Sequence, residues 1–329
     1  MIHLTDQPIR KVKTTPITDN GQAASGTVRL WRNLKSNISL IFMGLPAILW
    51  LFIFAYLPMV GIIIAFKRFR AVDGLFGSQW IGFENFRFMF LAGDMLRAVK
   101  NTLIMNFLFI FVGLAVSLFL ALLLYEIRED GITKFYPTIM LFPIFLSWVI
   151  ISSIVYAFLG QDIGFVNSFL VKIGLEPIKW YMEPKYWRAI LLIVSLWQGA
   201  GYGMVLYYSG MLGINPEMFE AAKVDGANWL QKVFYITIPL VSPLIIINLI
   251  LAVGGMFRSN FLLFYAVPKN SSMLLPATDV IDTFVYRATI QGILGQGAAA
   301  GLLQSVVGLV LVLLANWIVR KIDSEKALS

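Results

Sequence analysis

The sequence predicts an all-α integral membrane protein with six membrane-spanning helices. Of its 329 residues, 59% are hydrophobic and 13% are charged, whereas soluble domains carry about 25% charged residues. The mean hydropathy is +0.79. Several charge-free runs exceed the roughly 20 apolar residues that a helix needs to cross a bilayer. These runs are too long for barrel strands, and backbone groups in lipid must be hydrogen-bonded within the segment, so we expect helices.

Six apolar runs predict the spans, and polar tails flank them. The first run contains Gly44, Pro46 and Pro58, so it is expected to kink or tilt. Residues 1–37 are polar and basic, with no early apolar core, and predict a flexible tail without a cleavable signal peptide. Residues 321–329 predict a second tail. The membrane domain is predicted at 38–320, with spans at 38–66, 102–125, 137–159, 189–214, 238–257 and 298–319.

The loops between the spans predict two distinct sides of the membrane. Three long loops, at 67–101, 160–188 and 258–297, share one side. Two short loops, at 126–136 and 215–237, share the other side with both termini. The 26 lysines and arginines divide evenly between the two sides, so the positive-inside rule does not give the orientation. The long-loop side has fewer acidic residues and therefore the larger net positive charge.

Composition also restricts the chemistry. The sequence has no cysteine, and its one histidine, His3, lies in the first tail, which excludes thiolate and imidazole chemistry in the body. No Gly-x-x-x-x-Gly-Lys-Ser/Thr loop is present to bind ATP. We therefore expect a chain that is not an enzyme and that binds no cofactor and no metal. The net charge of +8 comes mainly from loops and span ends, which is typical of membrane proteins and gives no reason to expect a nucleic-acid partner.

Two other classes of membrane protein are the main alternatives. An ion-coupled secondary transporter would need carboxylates or histidines within the spans, and a membrane-embedded enzyme would need a catalytic pair. The six predicted spans contain neither. The ion-coupled transporter is kept as the alternative function.

The second short loop carries the clearest local signals. Asn215 is a good N-cap and Pro216 suits the first helical position. Glu220 lies in the early turns, where the helix dipole favours carboxylates. Gly226 is well placed to end the helix, so a short helix is predicted from Pro216 to about Asp225. Such a helix can dock into a cleft of another protein or lie on lipid headgroups, and the residues alone leave both open.

The pattern of this loop resembles the EAA loop of binding-protein-dependent ABC importer permeases. The departure is Ile238, where the family usually has Leu. The segment from Trp80 to Phe86 and the pair Asn101-Thr102 resemble the carbohydrate branch, and within it the permeases for oligosaccharides and polysaccharide fragments. The matching loop residues are Glu220, Ala221, Ala222, Asp225, Gly226, Ile236 and Pro239.

The resemblance implies the type I ABC importer permease fold, with a cytoplasmic coupling helix in this loop. Glu220 would meet a basic residue in a groove of a partner ATPase, and Gly226 would allow the turn. The chain would lie in the bacterial inner membrane with both termini in the cytoplasm. Its implied partners are a second permease in a heterodimer, two ATPases that bind ATP and Mg²⁺, an extracytoplasmic solute-binding protein, an oligosaccharide and membrane lipid. The EAA loop belongs to importers, which disfavours an exporter.

Polar and aromatic side chains of the later spans are the candidates for the substrate pathway, since sugars are held by aromatic stacking and hydroxyl hydrogen bonds. Each has a structural alternative: an aromatic ring packs, an amide holds helices together, and an arginine marks a span end. The net positive long loops favour an acidic, uronate-type oligosaccharide, although docking of the binding protein explains the same charges. The candidates are Trp197, Gln198, Tyr202, Tyr207, Asn248, Arg258 and Asn260.

Overall fold

The computed structural model describes residues 38–91, 93–127, 135–161 and 164–322. The predicted tail at 1–37 and residues 323–329 of the second tail lie outside this part. The described part is almost entirely helical, with one two-residue antiparallel β pair, Lys67–Arg68 with Gln79–Trp80. The predicted all-α architecture is confirmed. The described residues separate into two units, with the division between Val60 and Gly61.

Fifteen α-helices follow one another along the described residues. The list of α-helices is α1 Ile38–Leu51, α2 Gly74–Gly77, α3 Glu84–Leu91, α4 Asp94–Glu126, α5 Phe135–Leu141, α6 Trp148–Leu159, α7 Phe165–Lys172, α8 Pro184–Leu212, α9 Pro216–Val224, α10 Trp229–Lys232, α11 Ile238–Gly254, α12 Phe261–Ala266, α13 Leu275–Thr278, α14 Ile281–Ile290 and α15 Leu294–Ile322. Short 3₁₀ turns lie at Phe142–Phe145, Trp180–Met182 and Ser272–Leu274.

The first apolar run is helical throughout but changes its type. After α1 comes a π-helical turn, Phe52–Tyr56, and then a 3₁₀ segment, Leu57–Phe66. Pro58 lacks an N–H, and π and 3₁₀ adjustments are the usual way for a membrane helix to re-satisfy the carbonyls that a proline leaves free. The side chains of the first unit are largely exposed, as shown by Phe42 at 71%. They are suited to lipid or to another chain.

Four long helices correspond to later spans, but their ends differ from the apolar boundaries. α4 starts at Asp94 instead of Thr102, with an ion pair between Asp94 and Arg97 in its first turn. α8 starts at Pro184, five residues before the apolar run at 189. Helical structure before the fifth span begins at Trp229, and α15 extends to Ile322. Hydropathy marks the part of a helix that lies in lipid, whereas polar turns extend beyond it.

The third predicted span, 137–159, is not one straight helix. α5 and α6 are separated by the 3₁₀ turn and meet at an angle of 95°. Pro143 lies in that turn and lacks the N–H that a continuous α-helix needs. Ser147 then caps α6 by accepting from the Ile150 N–H at 3.4 Å. The described residues thus contain five long apolar helices, or six if the bent pair counts as one span.

Close helix packing depends on small residues. α4 packs along α8, and α11 packs against α15. A Cβ at Gly201 would collide with the Met140 carbonyl oxygen, so α8 contacts α5 backbone to backbone. Of the two glycines in the Gly-x-x-x-Gly spacing at the start of the sixth span, one makes a close helix contact. Gly297 packs against α14, whereas Gly301 has open space beside it. Small residues commonly allow such approach between membrane helices.

A buried ionic cluster lies at the end of the helices opposite to α9. Asp279 is fully buried and accepts two hydrogen bonds from Arg287, each of 2.7 Å. Arg97 at the start of α4 adds a third at 3.3 Å, and the Thr283 hydroxyl a fourth at 2.9 Å. Multiple charge-assisted bonds are what a buried carboxylate requires. The cluster therefore fastens the segment before α14 to the start of α4.

Replacing Asp279 by Asn should destabilise the protein strongly, because the change leaves Arg287, which is 19% exposed, without its counter-charge. Loss of one partner from a buried pair costs about 3–5 kcal/mol of unfolding free energy. The matched control is Asp94→Asn, which breaks a pair whose carboxylate is 52% exposed and should cost less than about 1 kcal/mol. Thermal unfolding in detergent measures both; equal melting temperatures for the two variants would contradict the prediction.

Candidate functional site

The short helix α9 begins with the predicted cap. The Asn215 side-chain oxygen accepts from the Glu217 N–H at 3.1 Å, and its amide donates to the Glu217 carboxylate at 3.1 Å. Pro216 occupies the first helical position, where a missing N–H costs nothing. Only Gly213, Ile214 and the cap residue Asn215 separate α9 from the end of α8. The start of α9 is thus set by its own residues and held close to the fourth span.

The end of α9 is closed by a Schellman motif. Asp225 is the C-cap, and Gly226 follows with a φ of +76°. The Gly226 N–H donates to the Lys223 carbonyl at 3.1 Å, and the Ala227 N–H donates to the Ala222 carbonyl at 2.8 Å. The left-handed conformation explains glycine at this position, since a Cβ there would be strained.

One face of α9 packs on the rest of the protein and the other is open. The Phe219 ring lies 5.6 Å from the Tyr125 ring of α4, measured between centroids, and Ala222 is half-buried. On the open face, Glu220 and Ala221 are exposed, and Val224 is 88% exposed. The protein thus presents a short helix with an acidic and an apolar side chain to whatever lies beyond it.

The chain then turns from α9 into the fifth span. Asn228 and Gln231 form a capping box with bonds of 2.8 and 2.9 Å at the start of α10. A π-helical turn, Val233–Thr237, joins α10 to α11 and contains the half-buried Ile236. Pro239 lies in the first turn of α11. The seven residues of the predicted coupling motif therefore lie between α9 and the first turn of α11. Three are on α9, Asp225 and Gly226 form its closing turn, Ile236 is in the π-helical turn, and Pro239 is in α11.

Three of the predicted pathway residues line one cavity between α4, α8 and α11. They are Tyr202, Tyr207 and Asn248, and the cavity has a volume of about 300 Å³. Tyr207 is 4% exposed, whereas Tyr202 is 61% exposed. The Asn248 amide donates to the Leu244 carbonyl one turn earlier at 2.9 Å. The cavity combines aromatic faces with a few polar atoms, as small-molecule sites do.

The other four predicted pathway residues lie elsewhere. Trp197 lines a separate apolar cavity between α6 and α8, and Gln198 is half-buried on α8 without lining the 300 Å³ cavity. Arg258 is exposed and lines a cavity of about 240 Å³ between α11 and α15. Asn260 is the N-cap of α12 and accepts from the Leu263 N–H at 3.2 Å. Its side chain thus has a structural use.

Sequence reasoning missed the residues that α4 contributes. Gly113 and Ser117 line the 300 Å³ cavity. Asn106 lies about two helical turns before Gly113 on α4. Its amide donates to the carbonyls of Met256 and Arg258 at 2.8 and 3.0 Å and so holds the end of the fifth span. A polar residue within a charge-free apolar run was the signal that could have identified Asn106 and Ser117.

The side opposite α9 carries an aromatic cluster, formed where α6 ends and α8 begins. The Tyr181 ring lies 5.5 Å from Tyr156 and 4.9 Å from Trp187. The Lys269 ammonium lies 3.4 Å from the centroid of the Tyr156 ring, a cation–π contact. Burial, with a smaller effect of Tyr156, raises the pKa of Tyr181 well above its usual value. This cluster packs the loops of that side.

Comparison with known proteins decides the family. Residues 89–324 match the family described as binding-protein-dependent transport system inner membrane component. The chain belongs to this family. Its relatives include Protein LplB of Bacillus subtilis (strain 168), which is 32% identical over 320 residues, 97% of this chain and 99% of that protein. They also include the polygalacturonan/rhamnogalacturonan transport system permease protein YteP of the same organism, 34% identical over 90% of this chain and 92% of that protein.

A solved structure supports the same conclusion. A chain of a bacterial ABC transporter involved in the import of the acidic polysaccharide alginate superposes with a TM-score of 0.81 at 34% identity, covering 90% of this chain and 99% of that one. The predicted ABC importer permease fold is therefore confirmed, and the protein is an inner-membrane permease of an ABC importer. The comparisons give no support to the ion-coupled alternative.

Filling the 300 Å³ cavity should block transport without unfolding the protein. Gly113→Val adds an isopropyl group where the nearest atom to a new Cβ is 3.9 Å away. We expect uptake to fall about tenfold or more, since a methylene or two in a binding site changes rates by roughly 10–200-fold. Gly199→Val is the control, because Gly199 has open space and does not line the cavity. Equal uptake rates for the two variants in reconstituted vesicles would show that the cavity is not part of the pathway.

Proposed function

We propose that this permease is one half of a heterodimer that imports acidic oligosaccharides, driven by two partner ATPases, one of which docks on α9. The observation that carries the proposal is the geometry of α9: a short helix, capped at both ends, with one face packed against α4 and the other open to a partner. ATP and Mg²⁺ belong to the partner ATPases in this proposal.

The connections of α9 suit the transmission of force. The link to α8 is only the three residues Gly213, Ile214 and Asn215. The link to α11 passes through the closed turn at Gly226 and a continuous helical run from Trp229. A displacement of α9 by an ATPase would therefore move α8 and α11, which line the 300 Å³ cavity together with α4. ATP binding can shift the permease between two states only if the ATPases bind these states with different affinity.

The proposed docking fixes the orientation of the chain. If α9 faces the ATPases, the short loops and both termini lie in the cytoplasm. The loops that carry Asp279 and Tyr181 then face outward, toward a solute-binding protein. This arrangement is supported by a structure of the bacterial alginate transporter, which was solved in complex with a periplasmic protein bound to an alginate pentasaccharide.

Two observations favour an acidic oligosaccharide as the substrate. One similar protein is a polygalacturonan/rhamnogalacturonan transport permease, and another belongs to an importer of the acidic polysaccharide alginate. The long-loop side of this chain also has the larger net positive charge, which would attract an anionic ligand. The aromatic rings of Tyr202 and Tyr207, with Asn248, offer stacking and hydrogen bonds for a sugar ring in the cavity.

The coupling role predicts a specific defect for Glu220→Gln. The exposed carboxylate loses its charge, and we expect the stimulation of ATPase activity by loaded binding protein to fall at least about tenfold, since truncating one partner of a desolvated charge pair costs about 2–5 kcal/mol. The control is Glu217→Gln on the same helix, whose carboxylate is already bound by Asn215 at 3.1 Å. We expect less than about a twofold change there.

The reconstituted complex in nanodiscs measures both variants, with assembly checked by gel filtration. If Glu220→Gln assembles and retains full stimulation, the contact between α9 and the ATPase does not depend on this carboxylate and the proposed coupling role of Glu220 is wrong.

The substrate class is tested separately with a panel of oligosaccharides. Uronate oligomers and neutral oligomers of the same length are each added to the complex with its binding protein. We expect only the uronate oligomers to stimulate ATP hydrolysis, because the outer surface and the relatives point to acidic ligands. Stimulation by neutral oligomers alone would overturn the acidic assignment while leaving the importer assignment intact.

A further inference from the structure

Another cavity, with a polar lining, lies beneath α9, on the side of the helix that packs against the protein. It is enclosed by the end of α4, α9, α10 and the π-helical turn, and its volume is about 130 Å³. One water needs roughly 10–15 Å³ of such volume, so the cavity can hold a group of several heavy atoms. Its lining differs from the 300 Å³ cavity, because it includes three charged side chains: Glu126, Lys223 and Lys232.

The lining is rich in hydrogen-bond donors that lack a protein partner. Within the described part of the chain, the ammonium groups of Lys223 and Lys232 form no ion pair or hydrogen bond, and the same holds for the indole N–H of Trp229. Two cations and a neutral N–H that share a small cavity attract an anion. The phosphate group, with several acceptor oxygens and a negative charge, matches this set of donors.

We expect the cavity to lie at the level of the phospholipid headgroups. α4 reaches the cavity at Leu122, within its apolar run, and ends at Glu126. The helical run that leads into the fifth span starts at Trp229, and tryptophan is enriched at the membrane–water interface. Basic pockets between helices at this depth on the cytoplasmic side are typical sites for anionic headgroups. A headgroup can therefore enter the cavity while its acyl chains stay in the bilayer.

We propose that this cavity binds the phosphodiester of an anionic phospholipid with a hydroxylated headgroup, such as phosphatidylglycerol. Lys223 and Lys232 hold the phosphate oxygens, and Trp229 donates a further hydrogen bond. Glu126 disfavours a free phosphate dianion but can accept from a headgroup hydroxyl. Binding joins α9, α10 and the end of α4 through one anion. The binding claim rests on the proposed cytoplasmic placement of this loop but not on the coupling role of Glu220, whereas its effect on ATP hydrolysis rests on the coupling role of α9.

The test uses the full transport complex in nanodiscs of phosphatidylcholine alone or with phosphatidylglycerol. Native mass spectrometry counts the phosphatidylglycerol retained by the wild type, by Lys223→Gln/Lys232→Gln and by the control Lys321→Gln, whose lysine lies in the last turn of α15 and does not line the cavity. Each lysine near an anionic headgroup contributes about fivefold in affinity, so the double variant should bind about twentyfold more weakly. The control should bind as the wild type does.

Two further arms keep the outcome decisive. The Lys223→Arg/Lys232→Arg variant preserves the charge and should retain the lipid, which separates charge loss from misfolding if the Gln variant fails to assemble. Inorganic phosphate at about 10 mM should not displace the lipid, because ion pairs between a free anion and solvent-accessible lysines are weak. Equal lipid retention by the wild type and the Gln variant, or by the Gln and Arg variants, overturns the proposal. Displacement by phosphate shows a free-anion site and overturns the lipid assignment.

The functional arm compares ATP hydrolysis in the two kinds of nanodisc. Phosphatidylglycerol should increase the stimulation by loaded binding protein in the wild type and in Lys321→Gln, but not in Lys223→Gln/Lys232→Gln. Lipid retention without any effect on hydrolysis would leave the binding site in place and would contradict only its action through α9. The failure of the site and the failure of the coupling role are therefore distinguishable.

Discussion

The need to bond every backbone polar group inside the bilayer governs this structure. It forces the apolar runs into helices and moves charged side chains to the two ends of those helices. At one end, α9 is closed by its own caps, with Gly226 in a left-handed conformation. At the other end, Asp279 is buried among arginine and hydroxyl donors. The proposed function uses both ends, with α8 and α11 as the connections between them.

The Asp279 cluster fastens one end of the helices, whereas the walls of the 300 Å³ cavity are connected to α9. The Asp279 cluster joins elements 182 residues apart in the chain, and Asn106 holds the end of the fifth span through its carbonyls. The 300 Å³ cavity lies between α4, α8 and α11, and two of these helices connect to α9. Movement of α9 can therefore reach the walls of the cavity while the opposite end remains fastened. A lipid phosphate beneath α9 would add a further constraint on that movement.

Local signals were sufficient for α9 and insufficient for the third span. Asn215 and Gly226 are capping residues whose effect depends on near neighbours, so sequence alone could locate the helix and its turn. The 95° bend between α5 and α6 depends on packing that hydropathy does not record. The partners of Asp279 come from distant parts of the chain, and no periodicity indicates them. For the pathway, residue type identified Tyr202, Tyr207 and Asn248, but it could not separate them from Asn260, whose side chain caps a helix.

Site-specific crosslinking tests the docking of α9 most directly. The sequence has no cysteine, so an introduced cysteine is the only thiol of this chain and can be labelled before the transporter is assembled. Val224→Cys on α9 replaces a side chain that is 88% exposed, and Val72→Cys replaces one that is 93% exposed in a long loop on the opposite side. With a thiol-directed photocrosslinker in the assembled transporter, we predict an adduct between residue 224 and an ATPase subunit and none from residue 72. An adduct of residue 224 with lipid alone, or an ATPase adduct from residue 72, would contradict the account.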